Sequence, residues 1–429
     1  MANTDCIKGI YLVGGAVRDR LLNQPISDKD YVAVGYTQED FSSLPQVGKN
    51  FPVFLCEDGS QIALARKETK VGVGYNGFSI QTYEVSLQED LKRRDLTINS
   101  IAFDEAKNEY YDPFNGIQDL RNKILRHTSE SFCEDPLRVL RIARFRARFG
   151  IYWKIHPSTK VLIYKMREEL RFLEPNRVYK EVESALKYSH SPLFFETLFE
   201  LGVLDSIFPH IYALTTLKEG NLYHLEASVF SHTMEVLRVA ESLLETSKRV
   251  NRESDFEKQV LILKFAALYH DIAKPHCYRT FGNSSGHDKL EYILPAIDIL
   301  IPKYIQKPML QLIKNHTKIY QLATMRPSKV VDFFDSFHKN LALFQLQIAL
   351  LIADRKGRIS QQGLESCDSF EIGQTFQKRL WDTFNALSAY SPKLWLESQT
   401  IKPKNEAIQA HILKEKLKIL DSVFYKNLQ

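Results

Sequence analysis

The sequence predicts an α+β protein, with a head built on a mixed or antiparallel sheet and an almost wholly helical remainder. Three observations carry this. From Ile10 to about Asp112, short β-branched and aromatic runs alternate with Gly, Asn, Pro and Asp clusters. Beyond Leu120 those runs fade into long segments with helical apolar periodicity. A length of 429 residues, 44% hydrophobic and 25% charged, also exceeds one ordinary core.

In chain order, IYLVG, DYVAVG, FPVFLC, QIALAR and FSIQTYE read as strands, with EDGS (Glu57 to Ser60) as a hairpin turn. EDPLRVLRIARFRARF, NRVYKEVESALKY, HTMEVLRVAESLLE and VLILKFAALYHDIAK read as amphipathic helices. Pro, Gly and Ser breaks fall at Ser189 to Pro192, Lys218 to Asn221, Phe281 to Gly286 and Ala389 to Pro392, without any fixed-period repeat. We therefore expect a head at 1–120, a helical neck at 121–218, a histidine-bearing helical domain at 224–355 and a helical tail at 356–429.

Composition excludes several classes. The longest apolar stretch, Leu341 to Ala353, is interrupted by Gln345 and Gln347 and falls short of the ~20 residues that span a bilayer, so no membrane role is expected. Met1 to Lys8 carries no leader pattern, which makes the cytoplasm the expected location. Cys6, Cys56, Cys133, Cys277 and Cys367 are odd in number and never spaced as CxxC, against both a disulfide framework and a thiolate zinc site. Net charge is only +5, but Leu120 to Lys180 holds 15 basic and 6 acidic residues, which suggests a polyanionic partner. Oligomeric state is left open, a homo-oligomer included.

The first chemical constellation lies near the N-terminus. YLV runs into Gly14-Gly15 and then AVRDRLL, placing two residues without side chains at a helix start, where free N–H groups favour phosphate; Arg18 adds a charge one turn in. In the next run, SDKDYVAVG, Asp28 and Asp30 are two apart and so project from one face of a strand. Paired carboxylates beside a phosphate cradle suit a hard divalent cation such as Mg²⁺.

GGAVRD followed by DKD resembles the head of the nucleotidyltransferase superfamily that includes DNA polymerase β. KRRDLTINSIAFD (Lys92 to Asp104), YDPFNGIQDL (Tyr111 to Leu120) and EDPLRVLRIARFRARF (Glu134 to Phe149) narrow the likeness to class II tRNA nucleotidyltransferases, the CCA-adding enzymes. Bacterial poly(A) polymerases are close relatives. QVGKNFPVFL and ARKETKVGVGYNGF look like the CCA-adding version, and Arg66 to Gly77 corresponds to the flexible loop that the family needs for adding the terminal A.

The resemblance implies transfer from CTP and ATP to a tRNA 3′-hydroxyl, with metal ions between Asp28 and Asp30, with Gly15 and Arg18 on the triphosphate, and with Arg94 as a triphosphate or sugar contact. Asp95 would accept from the ribose. Related polymerases carry a third carboxylate on a later strand; QIALAR offers none. Cytosine and adenine both present an exocyclic amine beside an unprotonated ring nitrogen, so a carboxylate next to a guanidinium selects them over uracil and guanine. Asp135 and Arg138, at i and i+3, are the candidates for that template, and Arg141 is positioned to reach a nucleotide. At ~100° per residue Arg138, Arg141, Arg144 and Arg148 share an arc separate from Val139, Leu140, Ala143 and Ala147.

A second constellation follows. His232, the pair His270-Asp271 in KFAALYHDIAKP and Asp354 in LIADRKGR keep the order of HD-type phosphohydrolases, with His287 and His316 between them as further candidates. Imidazoles with carboxylates suit a transition metal such as Ni²⁺, Co²⁺ or Mn²⁺ that activates water against a phosphoester. The pattern resembles the HD domain of one bacterial subgroup of CCA-adding enzymes, where it acts on phosphomonoesters and 2′,3′-cyclic phosphates. Two rival readings remain: a poly(A) polymerase, and an HD phosphohydrolase with an RNA-binding N-terminal module.

Overall fold

The computed structural model describes residues 8–26, 28–48, 52–70, 78–218, 227–247, 253–358, 369–400 and 403–426. It separates into two compact units, one of residues 1–181 and 193–207, the other of 182–192 and 208–429.

The first unit opens with strands β1 (Gly9–Val13) and β2 (Asp30–Val34), joined through helix α1 (Gly15–Leu21). Strands β3 (Gln46–Val47), β4 (Val53–Leu55), β5 (Gln61–Leu64), β6 (Lys67–Lys70) and β7 (Phe78–Gln81) follow, then α2 (Leu87–Lys92), β8 (Ala102–Asp104), β9 (Glu109–Tyr111) and α3 (Gly116–Asn122). Seven strands form one sheet in the order β3-β4-β5-β2-β1-β8-β9; β2 and β5 run parallel and its other pairs antiparallel, which makes the sheet mixed as expected. Side chains alternate along β2, and both faces are buried. Val32 and Val34 pack with Val13, Leu91 and Ala102, whereas Ala33 packs with Phe41, Phe54 and Leu64. EDGS turns β4 into β5, with Gly59 at φ 83° and the Cys56 N–H donating to the Ser60 carbonyl.

Two departures from the sequence reading concern strands. FSIQTYE supplies β7, which pairs with β6 in a separate ribbon rather than with the large sheet. The sheet's far edge is β8 and β9, three residues each and too short for a periodicity signal. Residues 71–77 of the proposed flexible loop, together with Cys6 and Cys367, lie outside the described residues.

Helices α4 (Leu137–Phe149), α5 (Pro157–Lys165), α6 (Pro175–Leu186), α7 (Pro192–Glu200) and α8 (Leu204–Ile207) come next in the chain. On α4, Val139, Leu140, Ile142, Ala143 and Ala147 are fully buried, so the arginine arc stands apart from the buried arc as the 3.6-residue period requires.

The second unit is helical: α9 (Pro209–Thr216), α10 (Val229–Ser247), α11 (Glu253–Tyr269), α12 (Lys274–Phe281), α13 (Leu290–Ile293), α14 (Lys303–His316), α15 (Pro327–Asp335), α16 (Leu341–Lys356), α17 (Ser369–Ala389), α18 (Lys393–Glu397) and α19 (Asn405–Leu420). Helices α10, α11, α14 and α16 pack on one another around Leu237, Leu263, Ile313 and Leu350, all without exposed surface. Pro275 in the first turn of α12 has no N–H to extend the α11 ladder, which leaves His270 and Asp271 in the turn between the two helices rather than on a helix. No described helix is long and apolar enough to cross a membrane. Cys56, Cys133 and Cys277 are free thiols.

Candidate active sites

The head site begins where β1 stops. Gly14 takes φ 69°, a conformation that favours glycine, and a Cβ there would stand 3.1 Å from Arg94 Nη1. Directly opposite Val13, Asp30 opens β2. Asp28 was expected on the same strand, but it lies in the coil leading in, because the antiparallel partner ends at the Gly14 turn. Both acids are exposed as residues, yet at the cavity wall loss of water raises the Asp30 carboxyl; Arg94 opposes this and the Asp28 charge adds to it. Two carboxylates two residues apart at the start of β2 fit a hard divalent cation between them. The register partner of Asp30 on β5 is Gln61, an amide and not a third carboxylate.

Asp30 borders a cavity of about 470 Å³ whose lining contributes nine arginines and three aspartates, an imbalance that suits a polyanion. The arginines are braced from behind. Arg18 is buried and gives Nε and Nη2 to Asp19 (2.9 and 3.0 Å) and Nη1 to Asn99 Oδ1 (2.7 Å). Asn99 in turn donates to Asp95 Oδ1 at 2.9 Å, and Arg141 Nε donates to Asp95 Oδ2 at 2.7 Å. Burial alone would raise the Asp95 carboxyl, but Arg141 and the Asn99 hydrogen bond hold it well below the usual carboxylate range. A chain of hydrogen bonds thus joins Arg18 to Arg141 through Asn99 and Asp95. Gly116, from YDPFNG, backs onto this segment so closely that a Cβ would sit 2.2 Å from the Thr97 carbonyl oxygen. Asp112 accepts from the Gly116 and Ile117 N–H groups at 2.7 and 2.9 Å.

Asp90 plays the same bracing part for the Arg93-Arg94 pair. It has no exposed surface, and it accepts from Arg93 Nη2 at 2.6 Å and Arg94 Nη2 at 3.1 Å. Asp90→Asn leaves two guanidiniums facing an amide, and we expect a loss of about 3 kcal/mol at pH 7. Burial opposes ionisation of Asp90, but the two arginines hold its carboxyl below the ordinary value. Its stabilisation is therefore full above about pH 4 and is lost as pH falls through the depressed folded value. Urea unfolding of parent and variant at pH 7 and pH 3 should show the gap narrowing in acid.

The proposed template residues are both engaged. Asp135 Oδ2 accepts from Arg177 Nη2 at 2.7 Å, while Oδ1 accepts from the Leu137 N–H at 3.1 Å. Arg138 donates Nη1 to the Ser131 carbonyl and Nη2 to the Arg93 carbonyl, each at 2.7 Å. Asp135, Arg138 and Arg177 all line the same cavity as Asp30 and Arg94. Arg177 and Asp90 were not singled out from sequence. For Asp90 helical spacing was the available signal, since Arg93 and Arg94 follow it by three and four residues, whereas Arg177 meets Asp135 across 42 residues, which no spacing marks.

The second site gathers all six of its candidates in the helical unit. His232, His270 and Asp354 form one group of potential ligands and Asp271, His287 and His316 another, with the ligand atoms of each group within 4.8 Å of one another. His232 Nε2 lies 3.3 Å from His270 Nε2 and 3.2 Å from Asp354 Oδ1; His287 Nε2 lies 3.2 Å from His316 Nε2. Asp271 spans both, with Oδ2 3.2 Å from His270 Nε2 and Oδ1 3.3 Å from His287 Nε2.

Every histidine turns its other nitrogen to a backbone carbonyl: Nδ1 of His232 to Gly357, of His270 to Ala267, of His287 to Ser284 and of His316 to Ile313. Donation from Nδ1 leaves each Nε2 lone pair aimed into the cluster, the arrangement that metal-binding imidazoles need. Burial, with the nearby His287 and His270, pushes His316 down to about 4. Asp271 and Asp354, despite burial, are held well below the carboxylate range, the first by His270 and Lys274, the second by Arg358 and His232. Facing lone pairs with two ionised carboxylates fit a borderline transition metal better than a proton network. Sequence reading missed Lys274, Tyr320 and Arg358, which contact Asp271 or Asp354 at 2.7 to 2.9 Å from outside the cluster.

Comparison with known proteins matches three family models: a poly(A) polymerase head domain over residues 10–126, a probable RNA- and SrmB-binding site of polymerase A over 153–214, and an HD domain over 229–340. Asp354 lies beyond the last. A multifunctional CCA protein of Mannheimia succiniciproducens is 39% identical across 81% of this chain and 84% of its own length. One from Nitrosococcus oceani is also 39% identical, over 83% and 86%. Among solved structures, the Thermotoga maritima CCA-adding enzyme complexed with tRNA superposes with a TM-score of 0.61 at 19% identity, covering 96% of this chain and 87% of that one. The Bacillus stearothermophilus CCA-adding enzyme in complex with CTP gives 0.59 at 20%, covering 96% and 88%.

Proposed function

This chain belongs to the multifunctional CCA proteins, nucleotidyltransferases that carry an HD domain, and from that premise we propose that it builds and repairs the 3′-terminal CCA of tRNA from CTP and ATP. We divide it into a catalytic head at 1–120, a nucleotide- and RNA-binding neck at 121–218, an HD phosphohydrolase domain at 224–355 and a tail at 356–429. The carrying observation is the single cavity that contains Asp30, the braced arginines and the Asp135/Arg138 pair.

In this reading Asp28 and Asp30 hold Mg²⁺, which when bound supplies activation of the attacking hydroxyl and charge neutralisation at the leaving oxygens. Gly15, Arg18 and Arg94 bind the triphosphate. Asp95, fixed by Asn99 and Arg141, accepts from the ribose, and Arg141 reaches the nucleotide from α4. Asp135 accepts from the exocyclic amine and Arg138 donates to the ring nitrogen, exchanging a carbonyl partner for the base. Labelled CTP and ATP, offered with tRNA lacking its 3′ end, test the reading: incorporation of both supports it, a run of ATP alone indicates a poly(A) polymerase, and neither indicates an RNA-binding module.

Asp135→Ala is expected to relax base choice more than it weakens triphosphate binding, because phosphate contacts position a nucleotide and base-edge contacts specify it. Each good base contact discriminates by about 1–3 kcal/mol, so UTP or GTP incorporation should rise roughly tenfold or more relative to CTP. Unchanged preference among the four nucleotides would place the template elsewhere.

For the HD domain we propose hydrolysis of phosphomonoesters and 2′,3′-cyclic phosphates, with His232, His270, Asp271 and Asp354, joined by His287 and His316, holding Ni²⁺ or another transition metal. Such a metal supplies a water activated for attack on phosphorus. The four Nδ1 donations fix the ring orientations, and Lys274 and Arg358 hold the carboxylates ionised.

A further inference from the structure

Four lysines converge on one groove of the helical unit. The groove, a cavity of about 690 Å³, runs between α14 and α15. Lys307 and Lys314 enter from α14 seven residues apart, on one helical face, Lys318 enters just past its end, and Lys329 enters from α15. Lys329 pairs with Asp332 at 2.9 Å; Lys307, Lys314 and Lys318 make no ion pair among the described residues. Lys314 is exposed and Lys318 half-buried. Three of these four cations make no ion pair of their own among the described residues, and such a cluster attracts an anion. Between them the lining is apolar, with Leu310, Met325 and the ring of Phe333. A cationic rim around an apolar floor suits a single strand of nucleic acid, with phosphates on the rim and bases against Leu310 and Met325, while Phe333 is buried beneath them.

The groove and the metal-ligand cluster share one stretch of chain, in which Asn315 and Lys318 line the first and His316 belongs to the second. His316 ends α14, and the 3-10 turn Lys318–Gln321 follows directly. In that turn Lys318 faces the groove, and the Tyr320 hydroxyl donates to Asp354 at 2.8 Å. Thr317 donates to Asp288 at 2.8 Å, next to His287, whose side chain is 12% exposed against 5% or less for the other five ligands. The cluster is therefore most open at His287, whose chain neighbour Asp288 bonds the Thr317 hydroxyl one residue before Lys318.

We propose that this groove is the RNA path of the HD centre, with Lys307, Lys314, Lys318 and Lys329 holding the phosphodiester backbone of a single strand whose 3′ terminus reaches the metal ligands. The inference rests on the phosphohydrolase reading above, and it narrows the substrate to a phosphate at the end of a polynucleotide. Opening a terminal 2′,3′-cyclic phosphate forms one P–O bond from water and breaks one P–O bond to the ribose, whose oxygen takes the proton that the water gives up.

The test compares two substrates, 2′,3′-cyclic CMP and an oligoribonucleotide ending in a cytidine 2′,3′-cyclic phosphate, using the Ni²⁺-loaded full-length protein. Lys314→Glu/Lys318→Glu is set beside the parent, with Lys307→Glu repeating the change farther from the metal ligands. The parent is expected to favour the oligonucleotide in kcat/KM by roughly tenfold or more, about 1.4 kcal/mol, and both variants to lose most of that ratio. In the double variant the slope of log affinity for the oligonucleotide against log salt should fall by about 1.4, about 0.7 per lysine on a single strand. Equal kcat/KM on the two substrates in the parent, or variants that keep the ratio and the salt slope, would overturn the RNA path and leave the phosphohydrolase standing. Hydrolysis of neither substrate by the parent would overturn the phosphohydrolase itself, and the path with it.

Discussion

Asp28→Asn or Asp30→Asn is expected to abolish incorporation of both CMP and AMP, by roughly a thousandfold or more, about 4 kcal/mol of transition-state stabilisation. The physical reason is the local balance of charge. Nine arginines line the cavity with Asp30, so triphosphate affinity and RNA binding have their own cationic basis and should change little. What the variants lose is the pair of carboxylates that gathers the cation. Asp30 is the sharper test, since its carboxyl already feels Asp28 and stands at the strand start facing the Gly14 turn. Steady-state transfer with each labelled nucleotide, alongside filter binding of tRNA, separates the two quantities. Transfer within about tenfold of the parent, about a 1.4 kcal/mol effect, would contradict the assignment.

The second large effect concerns the other centre. His270→Ala with Asp271→Ala removes an imidazole from one ligand group and the carboxylate that spans both. Release of phosphate from a 2′-nucleotide, or opening of a 2′,3′-cyclic phosphate, with Ni²⁺, Co²⁺ or Mn²⁺ should fall below about a hundredth of the parent rate, about 2.7 kcal/mol or more. CCA addition should survive, because its proposed residues all lie before position 182. Both positions are buried, and loss of Asp271 leaves Lys274 unpaired from it, so a fold defect needs its own control. His287→Ala, at the open edge of the cluster, provides one: metal content measured on the purified variant should drop while its circular dichroism matches the parent. Equal hydrolysis by parent and double variant would mean that these histidines are core residues.

The parts of each site that could be read from sequence are those whose spacing is short or whose wording is specific. Gly14-Gly15, Asp28-Lys29-Asp30, Arg93-Arg94-Asp95 and Asp135 to Arg138 are local patterns marked by their wording rather than by periodicity, since Arg93 to Asp95 lie in a turn and Asp135 is extended just before α4. One detail failed, the shared strand face of Asp28 and Asp30, because strand length depends on where the partner β1 ends. What was not legible is mainly long-range. Arg18 meets Asn99, and Arg148 meets Asp19 at 2.9 Å, across sequence gaps that no periodicity spans. Likewise, the order His232, His270-Asp271, Asp354 announces a metal site, but its partition into two groups depends on the loop that carries His287 and on the last residue of α14. Asp90 is the exception, legible in principle from its i+3 and i+4 arginines and passed over because buried acids and solvated ones look alike in a charged run.

Gly116 carries a consequence of a genetic kind. It touches no proposed ligand, yet it backs directly onto Thr97, two residues from both Asp95 and Asn99, where any Cβ would strike the Thr97 carbonyl at 2.2 Å. An unbiased screen for inactivating alleles should therefore recover position 116 as readily as the arginines of the cavity. The damage in such alleles would be displacement of the backbone segment that carries Asp95 and Asn99, and not loss of a reacting group. Second-site suppressors would have to move α3 outward or shrink its contacts, and would map to the helix itself.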